Sequence, residues 1–411
     1  MEMNKKIPIL RFVQYSDLWT FKNLNKATSY VDYRGKTPEK TKEGVFLVTA
    51  KNIKMGYIDY VCSKEYISFS SYNDVMRRGK PLIGDVLITT EAPLGNVASI
   101  DQEGIALAQR VIKFRGESEI LLNCYLKHYF TSTEFQRSLE SKATGSTAKG
   151  IKGSVLHKME IAYPSLPEQQ KIADFLTSVD TKIQQLSKKK ALLEEYKKGV
   201  MQKLFNQEIR FKDVNGNDYP DWEEKRLGEV FEIFNGYAFS STHSLTYGVK
   251  WVKIADVGIQ RMKEDSPSFL PLEFINRYNK FMLKKGDYVI ALTRPILNGK
   301  LKIACVDQSY DNSLLNQRVG KIVSSNSTDF VYYLLQLAHV IKSIESNIAG
   351  TDPPNLSPAE ISPIKVLVPR LAEQQKIASY LLSIDRKSVV LDKQLNNITK
   401  FKKGLLQQMF V

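Results

Sequence analysis

Cysteine and histidine are scarce in this chain, with three Cys (Cys62, Cys124, Cys305) and four His (His128, His157, His243, His339) among 411 residues. The cysteines lie far apart and match no zinc or redox spacing, so they read as reduced structural thiols. No two histidines stand at i, i+4, which removes the usual ligand pair of a hydrolytic metal site. No apolar run approaches the length of a membrane span, and Met1-Glu2-Met3-Asn4-Lys5-Lys6 lacks the apolar stretch of a signal peptide. A soluble, cytoplasmic protein without a membrane partner is expected. Nucleotide loops are missing too: Gly35-Lys36-Thr37 has Tyr30 where a phosphate loop needs glycine, and no Gly-x-Gly-x-x-Gly occurs. Asp352-Pro353-Pro354 is followed by Asn355, not by the aromatic of an amino-methyltransferase motif. Asp221, Glu223 and Glu224 are crowded too closely on one segment to make a nuclease metal site. With no catalytic constellation left, the chain is expected to be a non-enzyme that binds no cofactor or metal of its own.

Acidic residues are also in deficit, 44 against 59 Lys and Arg, for a net charge of +15. Such a balance suits a polyanionic partner. The charge is unevenly spread: +7 over residues 1–163, +3 over 164–207, zero over 208–368 and +5 over 369–411. Any nucleic-acid contact by the third segment must come from local placement of Lys and Arg.

What the chain does have is a repeat. Glu168-Gln169-Gln170-Lys171-Ile172-Ala173 returns as Glu373-Gln374-Gln375-Lys376-Ile377-Ala378, 205 residues later, and 11 of 17 positions agree between Pro164–Asp180 and Pro369–Asp385. Lys197-Lys198-Gly199 recurs as Lys402-Lys403-Gly404 at the same offset. Within each copy apolar residues fall seven apart, at Ile172, Val179, Leu186, Leu193 and Val200, then at Ile377, Ile384, Leu391, Ile398 and Leu405. A step of seven is a helix-packing seam. A looser second column runs through Phe175/Leu176, Ile183, Tyr196 and Leu204, with Tyr380/Leu381, Leu395, Phe401 and Met409 as counterparts. Each copy therefore reads as one long helix, with Pro167 in the first turn of the first. About 38 residues at 1.5 Å each give roughly 57 Å.

The lead-ins repeat as well. Leu10-Arg11-Phe12 is echoed by Ile209-Arg210-Phe211, and Trp19-x4-Leu24 by Trp222-x4-Leu227. Turns at Arg34–Pro38 and Asn235–Phe239 follow, then buried strands from Gly44 and Gly248 that end in polar residues. Gly84-Asp85 and Gly286-Asp287 each open a β-rich run, Gln109-Arg110-Val111 matches Gln317-Arg318-Val319, and helical stretches near Ile120–Leu139 and Phe330–Ile348 close each half. Glycine-bearing loops at Ala143–Thr147 and Ile348–Thr351 come last. The expected fold class is α+β: two globular α/β domains (1–163 and 208–368) with mainly antiparallel sheets, separated by two long antiparallel, coiled-coil-like helices (164–207 and 369–411) in a pseudo-two-fold tandem repeat. The two ends of the chain are expected to lie near one another. Frames that match while loops differ suit two related binding heads with different ligands.

Two such heads, each followed by a helix beginning Pro-x-Leu-x-Glu-Gln-Gln-Lys-Ile-Ala and carrying Lys-Lys-Gly near its end, resemble the DNA-specificity subunit of a type I restriction-modification system. The resemblance covers essentially the whole chain. It implies that each head is a target recognition domain reading one half of a bipartite double-stranded DNA site, with the helix pair as spacer. Two methyltransferase subunits using S-adenosylmethionine to methylate adenine N6, and two restriction motor-nuclease subunits using ATP and Mg, are the implied partners, in a prokaryotic, nucleoid-associated setting.

On that reading the DNA-facing candidates of the first head are Arg34, Lys36, Thr37, Lys51, Asn52, Thr90, Glu91, Gln109, Arg110, Ser146, Thr147 and Lys149. Those of the second are Tyr237, Lys253, Asp256, Thr293, Arg294, Lys300, Gln317, Arg318 and Thr351. Major-groove edges distinguish all four base pairs, so polar side chains at loop tips suffice for readout. The shared Gln-Arg pairs suit phosphate or scaffold contact better than base reading, because the two heads have different specificities. The heptad residues are the candidates for helix pairing and for receiving partner helices. Two other readings fit the same residues: a free-standing bipartite DNA-binding regulator, and a coiled-coil scaffold for proteins without DNA.

Overall fold

The computed structural model describes residues 7–33, 38–146, 149–265, 267–348 and 353–411. The chain divides into two compact units, Met1–Lys189 with Leu391–Val411, and Lys190–Val390. Both cuts fall midway along the long helices, Leu166–Phe205 and Leu371–Gln408. Each unit thus holds the start of one long helix and the end of the other.

The two units repeat one sheet plan. In the first, an antiparallel sheet has the order Thr28–Asp32, Val111–Gly116, Val86–Thr90, Leu94–Ser99. Its counterpart runs Glu232–Asn235, Val319–Val323, Tyr288–Ala291, Ile303–Cys305. A three-stranded sheet stands beside each, built on Val45–Val48 or on Val249–Val252, and these contain the parallel pairings, with Ile105–Leu107 and Leu314–Leu315. A third pairing joins the lead-in to the strand before the long helix: Thr20–Asn23 with Glu160–Tyr163, and Glu223–Arg226 with Lys365–Val368. All five residues of Val86–Thr90 are buried, as an apolar run covered on both faces requires.

The Gly-Asp turns explain themselves. Asp85 takes the Leu82 N–H at 2.9 Å and a two-pronged contact from Arg115 at 2.6 and 2.8 Å, while Asp287 takes the Lys284 N–H at 2.8 Å and pairs with Lys321 at 2.8 Å. Each carboxylate closes its turn and staples it to the neighboring strand. The closing helical stretches are broken in two: Asn123–Thr131 and Thr133–Lys142 meet at Ser132, and Thr328–Leu334 and Ala338–Asn347 meet near Gln336.

The repeated hexapeptide ties each long helix to its unit. Glu168 is 1% exposed and is held by Arg11 through Nε and Nη2, both at 2.7 Å; Glu373, 0% exposed, is held by Arg210 at 3.1 and 2.8 Å. A bidentate guanidinium satisfies both oxygens of a buried carboxylate at once. Gln169 accepts from the Leu122 N–H (2.9 Å) and donates to the carbonyls of Ile120 and Pro164; Gln374 accepts from the Ser327 N–H (3.0 Å) and donates to Asn326 and Pro369. Ile172, Ala173, Ile377 and Ala378 enter the two main cores.

In the first unit the start of the first long helix runs antiparallel to the end of the second. Leu10 donates its N–H to the Gln408 carbonyl (2.9 Å) while neighboring Arg11 holds Glu168, and twelve residues along, Asp180 meets Lys402 at 2.5 Å. The second unit repeats this with Lys197 and Asp385 at 2.6 Å and a Tyr196–Tyr380 hydroxyl contact at 2.6 Å. Ile172, Val179 and Leu405 are buried in the first core with Ile398 against it, and Ile377 and Ile384 in the second with Leu193 and Val200 against it; Leu186 and Leu391 are buried too. Tyr196 and Phe401, placed in the looser column, instead face outward at 51% and 53% exposure. Gln207, at φ +60°, turns the chain out of the first long helix. Among the described residues, no helix is long and apolar enough to cross a membrane.

Replacing Arg11 with Ala leaves a buried carboxylate unpaired and is expected to destabilise the first unit by about 3–5 kcal/mol. Arg210→Ala is expected to cost the second unit less, because Trp222 Nε1 still donates to Glu373 at 3.2 Å, whereas Trp19 Nε1 has no partner among the described residues. Hydrogen exchange of each unit in rising urea measures both; equal losses would refute the ranking. The first unit carries a pH effect through a buried histidine. Burial, reinforced by Lys127 and Lys402, pushes the His128 imidazole down to about 3, while Nε2 meets the Thr177 hydroxyl at 3.0 Å. The unfolded chain binds a proton below about pH 6.5 that the folded unit refuses, so stability drops as pH falls from about 6.5 to about 3, by up to roughly 1.4 kcal/mol for each step of one in pH. His128→Gln should flatten that slope in urea titrations.

Candidate nucleic-acid interface

In the first unit one sheet edge gathers three separate segments. Beyond the last paired residues of Val86–Thr90 and Val111–Gly116, the Thr90 N–H donates to the Arg110 carbonyl at 2.9 Å, and the Thr90 carbonyl accepts from Ile151 at 2.9 Å. Thr144 and Gly150 exchange two backbone hydrogen bonds of 2.9 Å, and Gly150 bridges to Glu91. A Cβ added at Gly150 would sit 3.2 Å from the Glu91 Cβ, so glycine permits this approach. The loop bearing exposed Ser146 and Lys149 is thereby based beside Glu91 and Arg110. Arg110 adopts φ +69°, an uncommon conformation for a residue with a side chain, and its Nε meets Glu91 at 2.5 Å. Lys40, Thr49, Lys51, Glu65, Ala92, Gln109 and Arg110 line one cleft along this edge. Lys40 pairs with Glu65 at 2.7 Å.

The second unit builds the same edge with other side chains. The Leu292 N–H donates to the Arg318 carbonyl (2.9 Å), the Leu356 N–H to the Leu292 carbonyl (2.7 Å), and the Arg294 N–H to the Pro354 carbonyl (2.8 Å). Thr293 bridges to Asn355, and Arg294 has φ +49°. The two-residue hairpin Ile296–Leu301 turns at Asn298 (φ +51°) and Gly299 (φ +68°), as an Asn-Gly pair favors, and presents Lys300 to solvent. Gly236 lies so close to the strand below that a Cβ would come within 2.3 Å of the Leu315 and Asn316 carbonyls. That approach places Tyr237 beside Gln317, whose N–H it accepts at 3.0 Å. The Tyr237 ring packs with Tyr278 (4.6 Å), Phe239 (5.0 Å) and Phe281 (5.4 Å). Gln317, Arg318, Arg294 and Lys300 are exposed.

Three candidates are placed differently from expectation. Asn52 is 0% exposed: its Oδ1 accepts from the Thr49 N–H (2.9 Å) and hydroxyl (2.8 Å), and its Nδ2 donates to the Asp59 (2.9 Å) and Ser63 (2.8 Å) carbonyls. Asp256, 3% exposed, accepts the Lys253 N–H at 2.7 Å through the same three-residue link; burial pushes its carboxyl up, against the pull of Lys253. Thr90 is buried and serves the edge through its backbone. All three are buried within the edge and its turns, where exposed positions were expected. Lys253 is half-buried, with Nζ against Ser268 Oγ at 2.5 Å and over the Trp251 ring at 5.4 Å. Arg34, Lys36, Thr37, Thr147 and Thr351 lie outside the described residues. Absent from the sequence candidates was Arg277-Tyr278-Asn279-Lys280-Phe281, where Arg277 lies 5.4 Å over the Tyr278 ring and the run abuts Tyr237. Its alternation of basic and aromatic residues was the available signal. Because Asn52 fastens three backbone groups of one loop, Asn52→Ala should lower the stability of the first unit by about 2 kcal/mol, read by thermal unfolding, and leave the identity of any recognised DNA sequence unchanged.

A profile of the type I restriction modification DNA specificity domain matches residues 36–195 and 219–400. The type I restriction enzyme MjaVIII specificity subunit of Methanocaldococcus jannaschii is 31% identical over 364 residues, 85% of this chain and 84% of that protein. The MjaIX specificity subunit of the same organism is 25% identical over 346 residues, 79% of this chain and 76% of that one. The S subunit of a type I restriction-modification system from M. genitalium shares the fold, with a TM-score of 0.66 at 17% identity over 98% of this chain and 99% of that one. With the domain profile present once in each repeat and a relative this similar along most of both sequences, the chain belongs to the family of type I restriction-modification DNA specificity subunits.

Proposed function

We propose that this chain selects a bipartite double-stranded DNA target for a type I restriction-modification complex, each unit reading one half-site. The observation that carries this reading is the repetition of one strand-end edge with unlike side chains: Lys51, Glu91 and Lys149 in one unit, Thr293, Arg294 and Lys300 in the other. The same backbone frame offers two different sets of donors and acceptors, which is what two different half-sites require. In this reading the chain performs no chemistry. Two methyltransferase subunits supply S-adenosylmethionine-dependent methylation of adenine N6, and two motor-nuclease subunits supply ATP- and Mg-dependent restriction.

Two features support paired docking of an identical partner. Gly199 and Gly404 sit inside the long helices, where glycine costs about 1 kcal/mol relative to alanine, and an added Cβ at either would meet nothing within 4 Å. Tyr196 and Phe401 stand exposed three residues before them. A partner helix approaching each glycine closely, against an aromatic, explains why both survive in both repeats.

Excising one heptad from the middle of each long helix, 185–191 and 390–396, keeps the seven-residue seam in phase and shortens each helix by about 10 Å. At 3.4 Å per base pair the unread gap should contract by about three pairs. Coexpression with the methyltransferase subunits and mapping of modified adenines reads the outcome. Unchanged half-sites with a shorter gap are expected; altered half-sites or an unaltered gap would sink the proposal.

A further inference from the structure

The two edges differ in charge at matched positions, and one of the differences places an acid on the first edge. In the first unit Glu91 stands where the second has Thr293, and its carboxylate is joined to Arg110 at 2.5 Å, with both side chains about half exposed. The pair is held from three sides: Gly150 packs against the Glu91 backbone, the Thr90 N–H fixes the Arg110 carbonyl, and Arg110 lines the cleft with Lys51 and Gln109. Arg318, which occupies the place of Arg110 in the second unit, has no ion pair among the described residues.

A carboxylate on a surface that meets DNA is repelled by phosphate, so it is tolerated where a base presents a hydrogen-bond donor to it. An arginine already neutralised by that carboxylate gains little from a phosphate and more from a base edge with two acceptors. One base pair serves both needs in the major groove: guanine offers O6 and N7 to a guanidinium, and cytosine offers its N4 amino group to a carboxylate. We infer that Glu91 and Arg110 jointly read a single G·C pair in the half-site of the first unit, with Glu91 as the residue that sets the requirement. Arg318, free of a carboxylate, imposes no such requirement on the other half-site. This inference rests on the reading of each unit as a half-site reader.

The test uses the complete complex with its methyltransferase subunits and maps methylated adenines genome-wide for the wild-type chain, Glu91→Ala, Glu91→Gln and Thr293→Glu. In the wild type the first half-site is expected to contain one invariant G·C pair. Glu91→Ala should relax that single position, lowering discrimination there by about tenfold or more, with the remaining positions, the gap and the second half-site unchanged. Glu91→Gln, which keeps the shape and the link to Arg110, should relax it less. Thr293→Glu should narrow the second half-site at one position. A wild-type target that is not bipartite defeats the proposed function itself. A bipartite wild-type target with Glu91→Ala changing no base preference, or weakening every position equally, overturns only the inference about the pair; a folded variant is verified by its unaltered thermal unfolding.

Discussion

Two buried carboxylates govern how this chain is put together. Glu168 and Glu373 lie at the starts of the long helices with almost no exposure, and each survives there because an arginine from the lead-in segment covers both of its oxygens. Arg11 and Arg210 can reach them only if the lead-in runs beside the helix start, so the ion pair ties the path of each lead-in to its long helix. The next glutamine in the motif then fastens the helix start to the loops at Ile120–Leu122 and at Asn326–Ser327. Ionic clamp, amide clamp and apolar anchor occupy three consecutive functions in six residues, which accounts for the letter-for-letter repetition.

The duplication, the long helices and the sheet-based heads could all be seen in the sequence, because each is a local or periodic signal. The purpose of the hexapeptide could not, since its arginine partners stand 157 and 163 residues away. Both halves of the clamp are repeated in the sequence, yet nothing in a one-dimensional pattern joins them. Asn52 and Asp256 show a different failure. A polar residue just beyond an apolar strand reads as exposed, but in both repeats it folds back on the N–H three residues earlier and is buried by its own loop. That link is local, so the matched positions of Asn52 and Asp256 were a usable hint. The division of the chain at the middle of each helix was hidden for the opposite reason, since it depends on which helix end packs into which core.

Charge at the tips follows placement more than composition. Residues 208–368 carry no net charge, yet Arg294, Lys300 and Arg318 all emerge on the edge shared by the strand ends. Many of the acidic residues that balance them stand on other segments, among them Asp218, Asp221, Glu223 and Glu224 on the lead-in and first strand, while Asp287 staples a turn to Lys321. A neutral domain can therefore present a basic edge, because exposed charges set apart from that edge are screened from it by salt.

The crossed ion pairs carry the argument back to origin. Asp180 pairs with Lys402 and Asp385 with Lys197, and the two pairs are one pair seen twice, since each residue is 205 positions from its equivalent. Within a single repeat Asp180 and Lys197 lie 17 residues apart on one helix, about 25 Å along its axis, too far to touch. The seam and the ion pair therefore make sense only between two repeats. A half-length chain with this sequence pattern could satisfy its own aspartate and lysine solely by meeting a second copy, as the two repeats of this chain do with each other. The N–H of Leu10 resting on the carbonyl of Gln408 mirrors that of Ile209 resting on the carbonyl of Lys203, so the lead-in meets the end of a long helix in the same way in both repeats.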